Sequence, residues 1–227
     1  MINARWFKIG FLLMLLLISS SARSGESVDK LLKRLEQTTH AIHDFEADFE
    51  QIEFNPILNR QKKSAGRIYS LSEGKIFWHT TKPTVFKVIS NGTDIWLYYP
   101  HDQQLFHEKW GALDSQTKLA LLFLRREEHL DKYFSMKWRN RAKQTIELLP
   151  KQALGVEKIW MTVTPKNIFL KKLIFFFPLG RKTELILKNV KLNQNLWKKH
   201  QSRPLDQNIS QAFTFKTGTM KKTQNQK

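Results

Sequence analysis

The chain has 227 residues, 41% of them hydrophobic and 12% aromatic, and its 38 Lys and Arg against 20 Asp and Glu give a formal net charge of +18. That length suits one sizeable domain, and the composition excludes a chain too polar to bury a core. The absence of cysteine excludes disulfides, thiolate zinc sites, cysteine nucleophiles and lipid attachment through a cysteine, while the charge favours anionic partners.

Residues 1–22 read as a cleaved signal peptide, with Arg5 and Lys8 before an apolar run from Ile9 to Ile18 and a small-residue site at Ser20-Ser21-Ala22. The run is too short for a comfortable membrane span, which needs about 20 residues. Cleavage after Ala22 removes Arg5 and Lys8 and leaves a mature charge of +16. Export also makes nucleic acid the least favoured anionic partner. The expected organisation is therefore a signal peptide over 1–22, one domain over 23–216 and a basic flexible tail over 217–227.

Val28, Leu31, Leu32, Leu35 and Ile42 recur at helical spacing behind Ser27, a good N-cap, and Asp29, which suits a first turn. From Phe45 the period changes to two. Phe45, Ala47 and Phe49 alternate with Glu46, Asp48 and Glu50, which predicts a strand with one wet face. Asn55-Pro56 and Asn59 to Ser64 read as a polar turn region. Between Gly66 and Pro83 two apolar runs, Ile68 to Leu71 and Ile76 to Trp78, carry bulky residues on both faces of a strand pair. One face can serve a core, so the other needs its own explanation. Asn91-Gly92 between two β-rich runs is a strong hairpin signal, and Pro100 closes the second run.

From Asp114 a second helix is predicted, apolar from Leu119 to Leu124 and so buried on more than one side. Strands are predicted at Tyr133–Trp138, Thr145–Leu149, Ile159–Val163, Ile168–Phe177 and Glu184–Leu192, with a short one at Ala212–Phe215. Nine to ten strands with two helices predict a mainly β, α+β fold: one long antiparallel sheet curling into an incomplete barrel covered by the helices.

Several motifs carry a resemblance: Phe45-x-Ala47-x-Phe49-x-Gln51, then Gly66-x-x-Tyr69, Gly74 with Trp78, Pro83 and the stretch "SNGTDIWLYYP". "IELLPK" and Phe213-x-Phe215 follow further on. In these the chain resembles the LolA family of periplasmic lipoprotein carriers. The resemblance implies a helical lid over an apolar cavity that receives acyl chains from an inner-membrane transporter and delivers them to an outer-membrane acceptor. It further implies a monomeric periplasmic protein without cofactor, metal or catalytic residues. The expected acyl-contacting residues are Phe45, Phe49, Tyr69, Ile76, Trp78, Trp96, Tyr98, Leu119, Leu122 and Phe123. One departure stands out: Ser72-Glu73 replaces the family's Arg-Pro pair, and a serine cannot supply the five donors of a guanidinium to hold a lid shut.

Two basic clusters, Arg139, Arg141 and Lys143 in one loop and Lys198, Lys199 and Arg203 in another, are expected to meet an anionic membrane or an acidic partner face. The seven histidines form no metal or nucleophile motif: His40 and His43 are three apart without a third placed ligand. A second class of function, a lipid-sensing periplasmic regulator of the RseB type that grips a partner protein, would use a similar half-barrel.

Overall fold

The computed structural model describes residues 27–71, 74–109, 119, 121–124 and 130–196. The predicted signal peptide, Ser72-Glu73, Asp114, the Lys198-Lys199-Arg203 cluster, the last predicted strand and the tail lie outside the described residues. Helix α1 spans Val28–His40. The Ser27 hydroxyl accepts a 3.2 Å hydrogen bond from the Lys30 amide, satisfying one of the free donors of the first turn, and Asp29 sits where the helix dipole favours a negative charge. Its fully buried Leu31 joins the main core.

Eleven strands follow: β1 (Asp44–Asn55), β2 (Arg60–Leu71), β3 (Lys75–Lys82), β4 (Phe86–Asn91), β5 (Asp94–Tyr99), β6 (Gln104–Lys109), β7 (Phe134–Asn140), β8 (Thr145–Pro150), β9 (Lys158–Val163), β10 (Leu170–Phe176) and β11 (Lys182–Leu192). They form one antiparallel sheet in the order β6-β5-β4-β3-β2-β1-β11-β10-β9-β8-β7. The chain starts in the middle of the sheet, steps outward to β6, and returns from the far edge β7 to pair β11 with β1. Among the described residues no pairing joins β6 to β7, so the sheet is an unclosed half-barrel. This order forces the connection between β6 and β7 to pass from one edge to the other. Of its described residues, Leu119 and helical 121–124 are packed into the core of one face, here called the inner face.

Two elements depart from the sequence reading. Arg60 to Ser64 are not a turn region; they open β2, pairing with β1 out to Asn55↔Arg60, and the turn is residues 56–59 with Asn59 at φ 44°. Gln104–Lys109 is a strand that the pattern did not predict. Both stretches are largely exposed, and a strand that buries little on either side shows no apolar alternation. At the β4–β5 turn Asn91 does what its sequence position predicts. Its side-chain oxygen accepts from the Thr93 and Asp94 amides at 3.0 and 2.8 Å, and Gly92 takes φ 103°.

The inner face carries Phe45, Ala47 and Phe49 of β1, Ile68 of β2, Ile76 and Trp78 of β3, Ile146 and Leu148 of β8, and Leu185 and Leu187 of β11 in one core. The outer face explains the second set of bulky residues. Strand register sets Tyr69 opposite Phe77, Phe77 opposite Ile89 and Ile89 opposite Trp96, a row of large side chains across β2 to β5. Leu196 covers this row and is 1% exposed. It is held there by Asp44, whose carboxylate accepts from the Gln194 amide at 2.8 Å and the Leu196 amide at 3.2 Å. The segment after β11 thus turns over the α1–β1 corner and reaches the back of the sheet.

Candidate functional site

Between α1, the helical residues 121–124 and the inner face lies a cavity of about 420 Å³. Its apolar walls are Leu32 and Leu35 of α1, Leu122, Phe123 and Leu124, and from the sheet side Phe45, Met136, Met161, Phe169 and Leu170. Asp29, Lys33, Glu36 and His40 of α1, with Asp131, edge it with polar groups on one side. This division follows from the helix itself. Leu32 and Leu35, three apart, share a half-buried face, Asp29, Lys33 and His40 are exposed, and Glu36 is half-buried at the border. Phe45 and Phe169 meet edge to face at 5.2 Å, and Phe123 packs against Phe134 and Phe175 at 6.1 Å each.

Of the expected acyl-contacting residues, Phe45, Leu122 and Phe123 line this cavity. Phe49, Ile76, Trp78 and Leu119 belong to the same core but are packed away from it: Phe49 and Trp78 rings are 4.6 Å apart, and the Trp78 indole N–H donates to the Thr80 hydroxyl at 3.2 Å. Tyr69, Trp96 and Tyr98 are not on the cavity side. Tyr69 and Trp96 lie in the outer-face row, and Tyr98 shares their parity on β5, with the Lys87 ammonium 5.9 Å from its ring centre. The reason is pleating: neighbours along a strand point to opposite faces, so Ile95 in the inner core sends Trp96 outward. Met136, Met161, Phe169, Leu170, Leu32, Leu35 and Leu124 were not anticipated. The apolar stripe of α1 and the alternation Ile159-x-Met161-x-Val163 carried the signal for some of them.

The basic cluster splits by position. Arg139, in β7, stacks its guanidinium 3.4 Å over the Trp160 ring, and the Arg141 guanidinium lies 5.8 Å from the Trp138 ring. Lys143 is exposed in the turn before β8. Beneath Arg139 the Trp160 indole N–H donates to Glu147 at 3.0 Å, which holds that carboxyl below its ordinary pKa against the opposing effect of burial; Lys137, at 3.2 Å, acts in the same direction. An ionised Glu147 is thus tied into a cationic surface of Lys137, Arg139 and Lys158.

A second charged row crosses the outer face through register partners Asp48, Arg67, His79 and Lys87. Asp48 is held below its ordinary pKa by hydrogen bonds from Asn189 and Arg67, against desolvation. His79 is half-buried and its pKa is lowered, first by that burial and then by Lys87, whose own pKa burial also lowers. A lowered folded-state pKa means that the unfolded chain binds the proton first. Stability should therefore be retained above the ordinary imidazole value of about 6.5 and fall as pH drops through it toward the folded value. Thermal melts from pH 7.5 to 5 should show this decline, and His79→Gln should flatten it; an unchanged slope in the variant would assign the decline to other groups.

The fold and cavity define an unclosed antiparallel half-barrel whose inner face, beneath helices, leaves an apolar cavity with a polar rim. The family model described as "Outer membrane lipoprotein carrier protein LolA" matches residues 40–200, and the chain belongs to that family. It is similar to an outer-membrane lipoprotein carrier protein of Francisella tularensis, 26% identical over 180 residues that cover 79% of this chain and 82% of the relative. A carrier protein of the same name from Shewanella woodyi is 31% identical over 88 residues, 38% of this chain and 42% of the relative. Among solved structures, a conserved protein of Thermus thermophilus superposes with a TM-score of 0.50 at 12% identity, over 78% of this chain and 93% of that one, a likeness of fold.

Proposed function

We propose that this protein is a periplasmic carrier that shields the acyl chains of lipoproteins, or of a related lipid, during transfer from the inner to the outer membrane. The observation that carries the reading is the apolar cavity of about 420 Å³ under α1 and residues 121–124, in a chain that belongs to the carrier family. Each exposed methylene of an acyl chain costs about 0.8 kcal/mol in water. Walls of Leu, Met and Phe remove that cost for whatever part of the chain they enclose, and the polar rim lets the head group stay wet. The donor would be an inner-membrane transporter and the acceptor an outer-membrane protein, with the carrier acting as a monomer and needing no cofactor. Protein purified from a periplasmic extract should carry lipid detectable by mass spectrometry, or bind a fluorescent fatty-acyl probe after delipidation. A protein that does neither is not an acyl carrier.

The basic surface has a part in this reading. A carrier must approach an anionic membrane or an acidic transporter face, and the charge gives it long-range attraction, screened beyond about 8 Å at physiological salt. Such attraction speeds encounter more than it strengthens the final complex. Binding to anionic liposomes should weaken steeply between low and moderate salt. The double variant Arg141→Glu with Lys143→Glu should lower it further while leaving the Arg139–Trp160 stack in place. Salt-independent binding would remove the cluster from the carrier's encounter step. Lys198, Lys199 and Arg203 would be tested in the same way.

A further inference from the structure

We propose that the β1–β2 and β10–β11 turns together form a membrane-inserting tip, with Ile57, Leu58 and Leu179 entering an anionic phospholipid surface. This goes beyond the carrier reading, because none of the three lines the cavity beneath α1. Strand direction alternates across the sheet, so both turns leave one end of it. The β7–β8 turn, with Arg141 and Lys143, leaves the other end.

Ile57, Leu58 and Leu179 are 68%, 60% and 74% exposed, three of the five exposed large apolar side chains among the described residues. Single apolar residues scattered over a surface are ordinary, but these are gathered. The two turns touch: a Cβ built on Gly180 would lie 3.2 Å from the Pro56 ring. The hairpin also projects beyond β3, whose pairing with β2 stops at Ala65↔Lys82 while β1 and β2 stay paired out to Asn55↔Arg60.

Neither turn needs apolar residues for its own shape. In the first, the Leu58 amide donates to the Asn55 side-chain oxygen and the Asn59 amide to the Pro56 carbonyl, each at 3.2 Å. In the second, the Phe177 amide donates to the Arg181 carbonyl at 2.9 Å, and Leu179 sits at φ 63°. Left-handed backbone favours glycine or asparagine, so a leucine there gains from neither geometry nor burial. A bilayer would supply the apolar surroundings that water does not.

Charge selects the occupant. Residues 53–63 and 177–183 hold Arg60, Lys62, Lys63, Arg181 and Lys182 against one carboxylate, Glu53. Arg60, Lys62, Arg181 and Lys182 line a crevice beside the two turns. Cations flanking an apolar tip suit an anionic bilayer: the tip enters the acyl region while the cations meet the phosphate groups above it.

The chain has no cysteine, so single cysteines at Ile57, Leu58 or Leu179 can carry a polarity-sensitive fluorophore. Lys166, exposed between β9 and β10 at the other end of the sheet, is the control position. On vesicles of phosphatidylglycerol and phosphatidylcholine the three tip labels should become dry and be quenched by acyl-brominated lipid. The Lys166 label should stay wet. The triple variant Ile57→Ser, Leu58→Ser, Leu179→Ser should bind these vesicles at least about tenfold more weakly. Arg60→Glu with Arg181→Glu should remove the preference for phosphatidylglycerol. All five positions are exposed, so melting temperatures should stay within about 2 °C of wild type.

Vesicle binding with wet tip labels, or with unchanged affinity in the triple variant, overturns the proposal, and so does an absence of vesicle binding. Tip labels that dry only when solubilised membrane proteins are added, and never on protein-free vesicles, overturn lipid as the occupant. If the triple variant fails to fold, the labels still decide. The triple variant should bind a fatty-acyl probe as wild type does. Failure of the wild type to bind that probe would remove the carrier reading and leave the tip standing.

Discussion

Leu122→Glu is expected to abolish acyl binding while leaving the sheet folded. Leu122 is 9% exposed and lines the cavity from the helical side, where Leu124 and Phe123 flank it. A carboxylate there must either stay ionised beside an alkyl chain or take up a proton, and each course costs several kcal/mol without a hydrogen-bonding partner. We expect affinity for a fatty-acyl probe to fall at least about 100-fold. Leu122→Met keeps the volume and apolar character and should bind within about threefold of wild type. The sheet has its own supports, because β1 pairs along its length with β2 and β11 on either side. The far-ultraviolet circular dichroism of the Glu variant should therefore remain that of a β protein. Unchanged probe affinity in a folded Leu122→Glu protein would mean that residues 121–124 do not wall the binding site.

How far the site was legible in the sequence depends on which half of the sheet is considered. The motif-rich stretch from Phe45 to Pro100 drew attention to its aromatics, and the structure shows why that pointed partly away from the cavity. Phe49 and Trp78 are large and interlock, so they fill the inner face where they stand. The cavity opens instead over β1, β7 and β9 and beside α1, where Met136, Met161 and leucines leave room. No motif marks those positions, because holding space open requires only apolar side chains of moderate size. The strand signals in that half were nonetheless clear, and β7 to β11 fall where alternation predicted them to within a few residues.

Which face each residue takes was harder to read. Ile76-Phe77-Trp78 is apolar without a break, so periodicity cannot say whether Phe77 or its neighbours point inward. The ladder settles it: Trp78 pairs with Ile68 and Val88, all inner, and Phe77 pairs with Tyr69 and Ile89, all outer. A register built outward from the Asn91-Gly92 turn would have separated Tyr69, Trp96 and Tyr98 from Ile76 and Trp78. What no local pattern could supply is the cover for the outer row. Leu196 comes from the distant segment after β11, steered by Asp44 and by Asn193, whose side chain accepts from the His43 amide at 2.7 Å and donates to the Ala41 carbonyl at 3.0 Å.

The second large effect is expected at Gly66, where the loss should be of fold rather than of binding. Gly66 lies in β2 opposite Phe49 of β1 and Thr80 of β3, at a register shift between Ala65 and Gly66. A Cβ added there would fall 2.8 Å from the Thr80 Cα and 2.9 Å from the His79 carbonyl carbon, with the His79 oxygen closer still. These are backbone atoms of a hydrogen-bonded neighbour, so no side-chain rotation relieves the clash. The demand is for space; among the described glycines only Gly74, Gly92, Gly155 and Gly180 take positive φ. Gly66→Ala must push β3 away from β2, which strips partners from the ladder and loosens Ile68 and Trp78 on the inner face. We expect a loss of about 3–5 kcal/mol, toward the upper end for a single substitution, read as a fall in the urea midpoint at an unchanged slope. Ser64→Ala, two residues earlier on the same strand and partly exposed, should change stability by less than about 0.5 kcal/mol. A Gly66→Ala protein within about 1 kcal/mol of wild type would show that the β2–β3 register shift can absorb a methyl group, and the glycine would then have another reason to stand there.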